Sequence, residues 1–130
     1  MRQLIVCCDG TWNTAEDRTI TNVRRLYNAL AEKDENDNPQ LAYYQPGVGT
    51  VRNRLLGGAT GFGLSRNVMD AYLWLTTRYE PGDRIALFGF SRGAYTARSL
   101  AGMISACGLI DTSKTPEHMI WPQIKRLYRE

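Results

Sequence analysis

The sequence predicts an α/β fold in which a parallel β-sheet is covered by helices on both faces. Two stretches of strand length, residues 3–8 and 84–88, are almost continuously apolar, as expected for strands buried on both sides. Amphipathic segments of helical length alternate with the strands along the chain. The 130 residues suffice for one domain or part of one, and they contain no internal repeat or linker.

The individual elements follow from local patterns. The first strand, 3–8, breaks at an Asp-Gly pair, and Thr21 or Asn22 can cap a helix over 23–33. A short strand is expected at 41–44, before a Pro-Gly pair. The remaining expected elements are a helix at 66–79 capped by Ser65, a strand at 84–88, a helix at 92–106 closed by Gly108, and a last helix with Pro116 in its first turn.

The charge and hydropathy of the chain are unremarkable for a globular protein. Sixteen lysine and arginine residues and thirteen acidic residues give a formal net charge of +3 at pH 7. The basic residues are spread evenly along the chain, so we expect neither nucleic-acid binding nor a membrane-docking surface. No stretch reaches the ~20 apolar residues of a membrane span, and the first residues lack signal-peptide features. A cytoplasmic protein without a transmembrane segment is expected.

Cysteine and histidine are scarce. Cys7 and Cys8 are adjacent, and with Cys107 they make an odd number that fits neither a disulfide framework nor metal-ligand spacing. We therefore expect reduced, buried thiols, no metal and no other cofactor. Histidine occurs once, as His118.

A Gly-x-Ser-x-Gly motif, residues 89–93 (GFSRG), stands between a predicted strand and a predicted helix. This is the setting of a nucleophile elbow, a tight turn that raises a serine above the sheet in a strained conformation. Gly89 and Gly93 would keep side chains out of the crowded corner. The motif makes Ser91 the candidate nucleophile, whereas the alternative is an ordinary turn in which Ser91 only caps the helix.

An oxyanion hole would need two backbone donors near that serine. The N–H of Arg92, the residue after the serine, would be one of them. The second should come from a loop that follows another strand, and Gly10 or Thr11 occupies such a place. The same segment can equally be an Asx or Ser/Thr turn that merely ends the first strand.

Two rival chemistries fail on particular residues. Segment 7–11 (CCDGT) is similar to the first motif of aspartate-nucleophile phosphatases, but Cys7 stands where the nucleophilic aspartate should be. The glycine-rich segment 47–63 lacks the Gly-Lys-Ser/Thr ending of a P-loop and the third glycine of a dinucleotide fingerprint. A lid or flexible connection is the better interpretation of that segment.

A serine hydrolase also needs a histidine base and an acid that orients it. Asp111 and His118 follow Ser91 in a suitable order. However, the intervening helix carries the chain ~20 Å from the serine at 1.5 Å per residue. We expect His118 to be a surface or packing residue, and the acid and base of a complete site to lie beyond this chain.

Four segments together carry a more specific signal. They are CCDGTWN (7–13), TNV (21–23), YYQPGVGT (43–50) and IALFGFSRGAYTARSLAGMISACG (85–108). In this order they resemble the N-terminal half of an α/β-hydrolase-like domain family of bacteria and fungi that includes the type VI secretion phospholipase effectors of type 1. The resemblance covers nearly the whole chain.

The resemblance implies an α/β-hydrolase-like three-layer sandwich, of which residues 1–130 are the nucleophile-bearing N-terminal part. It implies Ser91 as nucleophile, a phospholipid or another ester as substrate, and delivery by a secretion system as an option. The later family motifs that carry the acid and the base, a Trp-Asp-Thr type and a His-Ala type, do not occur here.

Two functions therefore remain open. The first is a serine esterase or phospholipase-like hydrolase that uses Ser91. The second is a catalytically inactive module that keeps the fold for binding or assembly, in which an exposed sheet edge favours self-association.

Overall fold

A computed structural model describes residues 1–10, 20–47 and 62–130. Within them lies a parallel three-stranded sheet with β1 (Gln3–Cys8) at its centre, β2 (Gln40–Gln45) on one side and β3 (Arg84–Gly89) on the other. The three strands pair without an offset along their length, so their last residues lie side by side. We call the end of the sheet at which the strands terminate (Cys8, Gln45 and Gly89) the carboxyl edge, and the end at which they begin (Gln3, Gln40 and Arg84) the amino edge.

Helices cover both faces of this sheet. One face carries α1, and the other carries α2, α3 and α4. Their bounds are α1 Asn22–Ala29, α2 Phe62–Arg78, α3 Arg92–Cys107 and α4 Glu117–Arg129. The predicted α/β class, a parallel sheet between helices, is confirmed.

The helix directions follow from the connections between elements. α3 starts directly after β3, so its first turn lies at the carboxyl edge. α2 leads into β3 through a short turn and therefore also starts at that edge. The hydroxyl of Tyr128, near the end of α4, donates to Ser65 Oγ, near the start of α2, at 3.1 Å. α4 thus runs from the amino edge back to the carboxyl edge.

The central strand supplies the core on both faces. Ile5 and Cys7 pack with Val23 of α1. The opposite side chains of β1 pack into a larger core beneath the other three helices, where several side chains are fully buried. These include Leu4, Val6, Tyr72, Leu75, Leu100 and Ile124. Burial of apolar side chains on both faces explains the continuous apolar run of β1.

α1 ends earlier than the sequence pattern predicts. The Asp34 carboxylate accepts the backbone N–H groups of Asn36 and Asn38 at 2.8 and 2.9 Å and so closes a turn. The N–H of Gln40 donates to the carbonyl of Glu32 at 2.8 Å, which leads the chain into β2. Side chain-to-backbone bonds of this kind compete with helix formation, so residues 30–33 leave the helix.

The predicted cap of α2 is wrong. Ser65 lies inside the helix, which begins at Phe62. The apolar stripe extends one turn further than expected, because the half-buried Leu64 lies four residues before the buried Val68.

A charged contact ties the chain start to the amino edge. The Arg2 guanidinium donates to both carboxylate oxygens of Asp83, at 2.7 and 3.2 Å, and to the carbonyl of Arg78 at 2.7 Å. The hydrogen bond from Arg2 holds the pKa of Asp83 below its usual value. Among the helices of the described ranges, none is long and apolar enough to cross a membrane.

Candidate active site

Ser91 occupies a sharp turn between β3 and α3. Its backbone has φ 55° and ψ −124°, a conformation that residues with a side chain rarely adopt, and the residue is exposed. The N–H of Phe90 donates to the carbonyl of Cys8 at 3.1 Å, which extends the sheet up to the turn. The N–H groups of Gly93 and Ala94 then donate to the carbonyls of Phe90 and Ser91, at 2.9 and 3.0 Å.

The two glycines of the motif occupy positions without room for a side chain. A Cβ on Gly89 would lie 2.6 Å from the backbone nitrogen of Ala94. A Cβ on Gly93 would lie 2.6 Å from the carbonyl carbon of Cys8. β3, the turn and α3 therefore approach one another and β1 as closely as backbones can.

The loop after β1 reaches Ser91 through Gly10. A Cβ on Gly10 would lie 3.0 Å from Cβ of Ser91 and 3.1 Å from Cδ1 of Phe90. Gly10 is buried, so its backbone packs directly against the base of the serine side chain. The structure thus brings together Ser91, its flanking glycines and Gly10 at the carboxyl edge.

Asp9 is a buried carboxylate one residue away from this contact. It is 4% exposed and accepts hydrogen bonds from the hydroxyl of Thr21 and the N–H of Gly10, both at 2.8 Å, and from the hydroxyl of Tyr44. The sequence pattern predicts only a turn at Asp9. The sequence feature that could have indicated a buried, hydrogen-bonded role for Asp9 is its position directly after a buried strand.

The surroundings of Tyr44 change the pKa of its hydroxyl group. Burial raises its pKa to about 12, and the hydrogen bond to Asp9 acts in the same direction. The Arg24 guanidinium lies 4.5 Å from the ring centroid of Tyr44 in a cation–π contact. We call Asp9 and the side chains of Thr21, Tyr44 and Arg24 the Asp9 cluster. It joins the end of β1 to α1 and β2 next to Ser91.

The three residues predicted to supply oxyanion donors, Arg92, Gly10 and Thr11, differ in their structural settings. Arg92 is the first residue of α3 and directly follows Ser91. The N–H of Gly10 donates to Asp9 in this structure. Thr11 lies outside the described residues, as does most of the predicted lid at 47–63.

His118 and Asp111 lie at the amino edge, far from Ser91. His118 is exposed in the first turn of α4, whose first residue, Glu117, lines a groove with Thr77 and Arg78 at the end of α2. The Asp111 carboxylate accepts from the backbone N–H and the hydroxyl of Ser113, and these bonds lower its pKa. The sole histidine of the chain is thus remote from the candidate nucleophile.

The cysteines are all free, but the expectation that all three are buried is wrong. Cys7 and Cys8 are buried, whereas Cys107, in the last turn of α3, is exposed. Burial raises the pKa of the Cys8 thiol to about 12 and also raises that of Cys7. Both are protonated at neutral pH, so Cys7 cannot act as a thiolate nucleophile. Within the described residues, no cluster of three or more His, Cys, Asp or Glu side chains could hold a metal ion.

The fold brings charges that are spread evenly along the sequence to different ends of the molecule. Among the described residues, the half nearer the carboxyl edge carries eight exposed basic side chains and three acidic residues, of which only Glu130 is exposed. The basic residues are Arg24, Arg25, Arg66, Arg92, Arg98, Lys125, Arg126 and Arg129, and the acidic ones are Asp9, Asp70 and Glu130. The balance reverses toward the amino edge, where the described acidic residues are Glu32, Asp34, Glu35, Asp37, Glu80, Asp83, Asp111 and Glu117, and the basic ones are Arg2, Lys33, Arg78, Arg84 and Lys114.

Comparison with known proteins gives a family. Residues 2–130 match the family model of the T6SS phospholipase effector Tle1-like catalytic domain. The chain is 42% identical over 135 residues to uncharacterized protein YEL023C of Saccharomyces cerevisiae, in an alignment that covers 92% of this chain and 19% of the relative. The chain thus spans about a fifth of that relative's length. No solved structure gives a significant match. The family model covers almost every residue and confirms the resemblance drawn from the sequence motifs, so the chain belongs to the T6SS phospholipase effector Tle1-like catalytic domain family.

Proposed function

We propose that Ser91 is the nucleophile of a phospholipase-type ester hydrolase and that this chain is the nucleophile-bearing part of its site. The observation that carries the proposal is the backbone of Ser91, a non-glycine residue with φ 55° that is exposed at the carboxyl edge of a parallel sheet. Such strain costs about 1–3 kcal/mol and persists only where the surroundings impose it. Here Gly10, Gly89 and Gly93 provide the close backbone packing that does so.

The reaction is acyl transfer in two steps. Ser91 Oγ attacks the carbonyl carbon of a lipid ester while a histidine takes its proton. The tetrahedral oxyanion is stabilised by the N–H of Arg92 and by the positive end of the α3 dipole. Collapse expels the alcohol, which receives the proton, and water then hydrolyses the acyl-enzyme by the same route.

The loop after β1 is the proposed source of the second oxyanion donor. The N–H of Gly10 already donates to Asp9, so the contribution we assign to Gly10 is close packing against Ser91. Thr11, the other candidate, follows it directly in the sequence. The Asp9 cluster fixes where this loop leaves the sheet.

The base and its acid come, in this proposal, from polypeptide beyond residue 130. The chain's one histidine is at the amino edge, and the 16 residues of α3 alone span about 24 Å at 1.5 Å per residue. The yeast relative, of which the chain covers 19%, shows that such sequences occur within longer proteins.

Phospholipid hydrolysis tests this proposal. In a protein that carries this chain together with a histidine-bearing continuation, Ser91→Ala should lower turnover of phospholipid at least about a thousandfold, because the acyl-enzyme cannot form. Ser105→Ala, at an exposed position near the far end of α3, is the matched control and should leave turnover unchanged. Residues 1–130 alone should show no turnover above their Ser91→Ala variant. Turnover that survives Ser91→Ala would contradict the proposal.

A second candidate function is an inactive module that assembles through its sheet edge. Among the described strands, β3 pairs only with β1, and Phe88 on this edge strand is 41% exposed. Unpaired strand edges favour association with another chain. Sedimentation analysis of residues 1–130 should then show concentration-dependent dimers that Phe88→Lys weakens. A monomer at all concentrations would exclude this candidate.

A further inference from the structure

We propose that the carboxyl-edge face docks on an anionic phospholipid bilayer and thereby brings Ser91 to its substrate. This inference rests on the proposed function, because it states that the lipid ester substrate is bound as part of a bilayer. It does not follow from composition, since the net charge of the chain is only +3. It follows from where the fold puts the charges.

The basic residues of this face come from four separate helices. The first turns of α1 and α3 supply Arg24, Arg25 and Arg92, and the end of α4 supplies further basic side chains. The helix directions, set by the connections and by the Tyr128–Ser65 hydrogen bond, bring these positions to one end of the molecule. That end is the one at which Ser91 is exposed.

Of the three described acidic residues on this face, Glu130 alone is exposed. Asp9 is buried under three hydrogen bonds. Asp70 pairs with Arg66 at 3.0 Å, so these two opposite charges offset each other. The opposite end carries the acidic excess and would be repelled by an anionic surface. The charge asymmetry thus selects an orientation as well as a partner.

The end of α4 offers a concave basic site within this face. Lys125, Arg126 and Arg129 line a groove of about 340 Å³ together with Pro122 and Glu130. All three basic side chains are exposed. A groove of this size and charge suits a lipid phosphate group.

Exposed aromatic rings flank Ser91 and favour a bilayer over another polyanion. Phe90, which precedes Ser91, is 48% exposed, and Tyr95, one turn into α3, is 70% exposed. An exposed phenyl ring gains free energy by entering the acyl boundary of a membrane, and a tyrosine ring is typical of the interface itself. The charges and the rings therefore lie at the same end of the molecule as the serine.

Vesicle binding tests the docking proposal independently of catalysis. The chain carrying Ser91→Ala is mixed with sucrose-loaded phosphatidylcholine vesicles, with and without phosphatidylglycerol, and sedimented. We expect binding only to the vesicles with phosphatidylglycerol, and a decrease in binding as salt is raised. Arg126→Glu with Arg129→Glu should weaken binding more than tenfold, since each basic residue near an anionic surface contributes roughly fivefold. Tyr95→Ser should weaken it further.

Arg84→Glu with Lys114→Glu is the matched control. It makes the same change of charge at exposed positions of the opposite end and should alter binding less than twofold. Circular dichroism establishes that both double variants are folded. Equal losses for the two pairs, or binding to phosphatidylcholine alone, would overturn the proposal. So would binding to a DNA duplex that is tighter than binding to the vesicles, in anisotropy measured at the same salt.

The turnover and vesicle-binding experiments can contradict the catalytic proposal and the docking proposal independently of each other. If Ser91→Ala leaves phospholipid turnover intact, Ser91 is not the nucleophile, whatever the vesicles show. If Ser91→Ala abolishes turnover but the Arg126 and Arg129 reversals bind vesicles normally, the catalytic proposal stands and the docking face is wrong.

Discussion

The backbone of Gly10 lies against the side chain of Ser91 so closely that a methyl group on Gly10 would come within 3.0 Å of the serine Cβ. These residues are 81 positions apart in the sequence and meet because β1 and β3 are neighbouring parallel strands that pair without an offset. The contact joins the loop after β1 to the turn that carries the proposed nucleophile. It makes the immediate surroundings of Ser91 sensitive to changes on another strand.

Gly10→Ala should impair catalysis more than folding. The added Cβ would also lie 3.2 Å from the carbonyl oxygen of Phe90, so the turn must shift by a few tenths of an ångström. Misplaced catalytic groups lose rate steeply, and we expect at least a tenfold decrease in kcat for phospholipid. Gly102→Ala is the control, because nothing lies within 4 Å of a Cβ there and alanine favours the helix by about 0.5–1 kcal/mol. Equal activity of the two variants would contradict the packing account.

Gly93→Ala should destabilise the fold itself. Its Cβ would meet the backbone of Cys8 and Asp9, which belong to the central strand and its end and cannot move independently. We expect a loss of about 2 kcal/mol or more in the free energy of unfolding, measured with urea. Gly108→Ala is the control that separates backbone strain from a steric clash, because Gly108 has φ 66° but nothing lies within 4 Å of a Cβ there. The free energy of unfolding of Gly108→Ala should fall by about 1 kcal/mol. A loss at Gly93 no larger than this would count against the close approach.

Tyr44→Phe should loosen the cluster that holds the loop after β1. The substitution removes one of the donors to the buried Asp9 carboxylate. Hydrogen bonds to charged groups contribute about 1.5–3 kcal/mol, so we expect a loss near the lower figure in chemical denaturation. Tyr95→Phe removes a hydroxyl from a residue that is 70% exposed and should cost almost nothing. A stability unchanged in Tyr44→Phe would show that the Asp9 cluster does not depend on this donor.

Acid should weaken the fold partly through Asp83. Because Arg2 lowers the pKa of Asp83 in the folded protein below the reference value of 3.8, ionisation of Asp83 favours the folded state. This stabilisation is fully present above pH ~4 and is lost as pH falls through the lowered folded-state pKa. Asp83→Asn should therefore reduce the thermal midpoint at pH 7 and flatten its decline below pH ~4. Asp37→Asn, at an exposed surface pair with Lys33, should leave both features unchanged. An equally steep acid decline in both variants would assign the effect to other groups.

The sequence was sufficient for features that depend on neighbouring residues. The strand–turn–helix around Ser91 could be predicted because its strand pattern, glycines and helix start lie within a short stretch. The Asp9 cluster could not, because its partners Thr21 and Tyr44 are 12 and 35 residues away. Their approach depends on which strands pair and where α1 begins.

The charge distribution was missed for a similar reason. Basic residues that are evenly spaced in sequence become segregated only when four helices take definite directions against the sheet. Arg24 and Arg129 illustrate this, since they lie at opposite ends of the chain yet on the same end of the molecule. The end of α1 at Ala29 likewise depended on a turn closed by the Asp34 side chain, which competes with an otherwise helical pattern.

Trapping of the acyl-enzyme tests the central claim most directly. A protein that carries this chain with its histidine-bearing continuation is quenched in acid during phospholipid turnover, digested and examined by mass spectrometry. The account predicts a fatty-acyl group on the peptide that contains Ser91, and no such adduct in the Ser91→Ala variant. An acyl group on a different residue, or full turnover by Ser91→Ala, would contradict it.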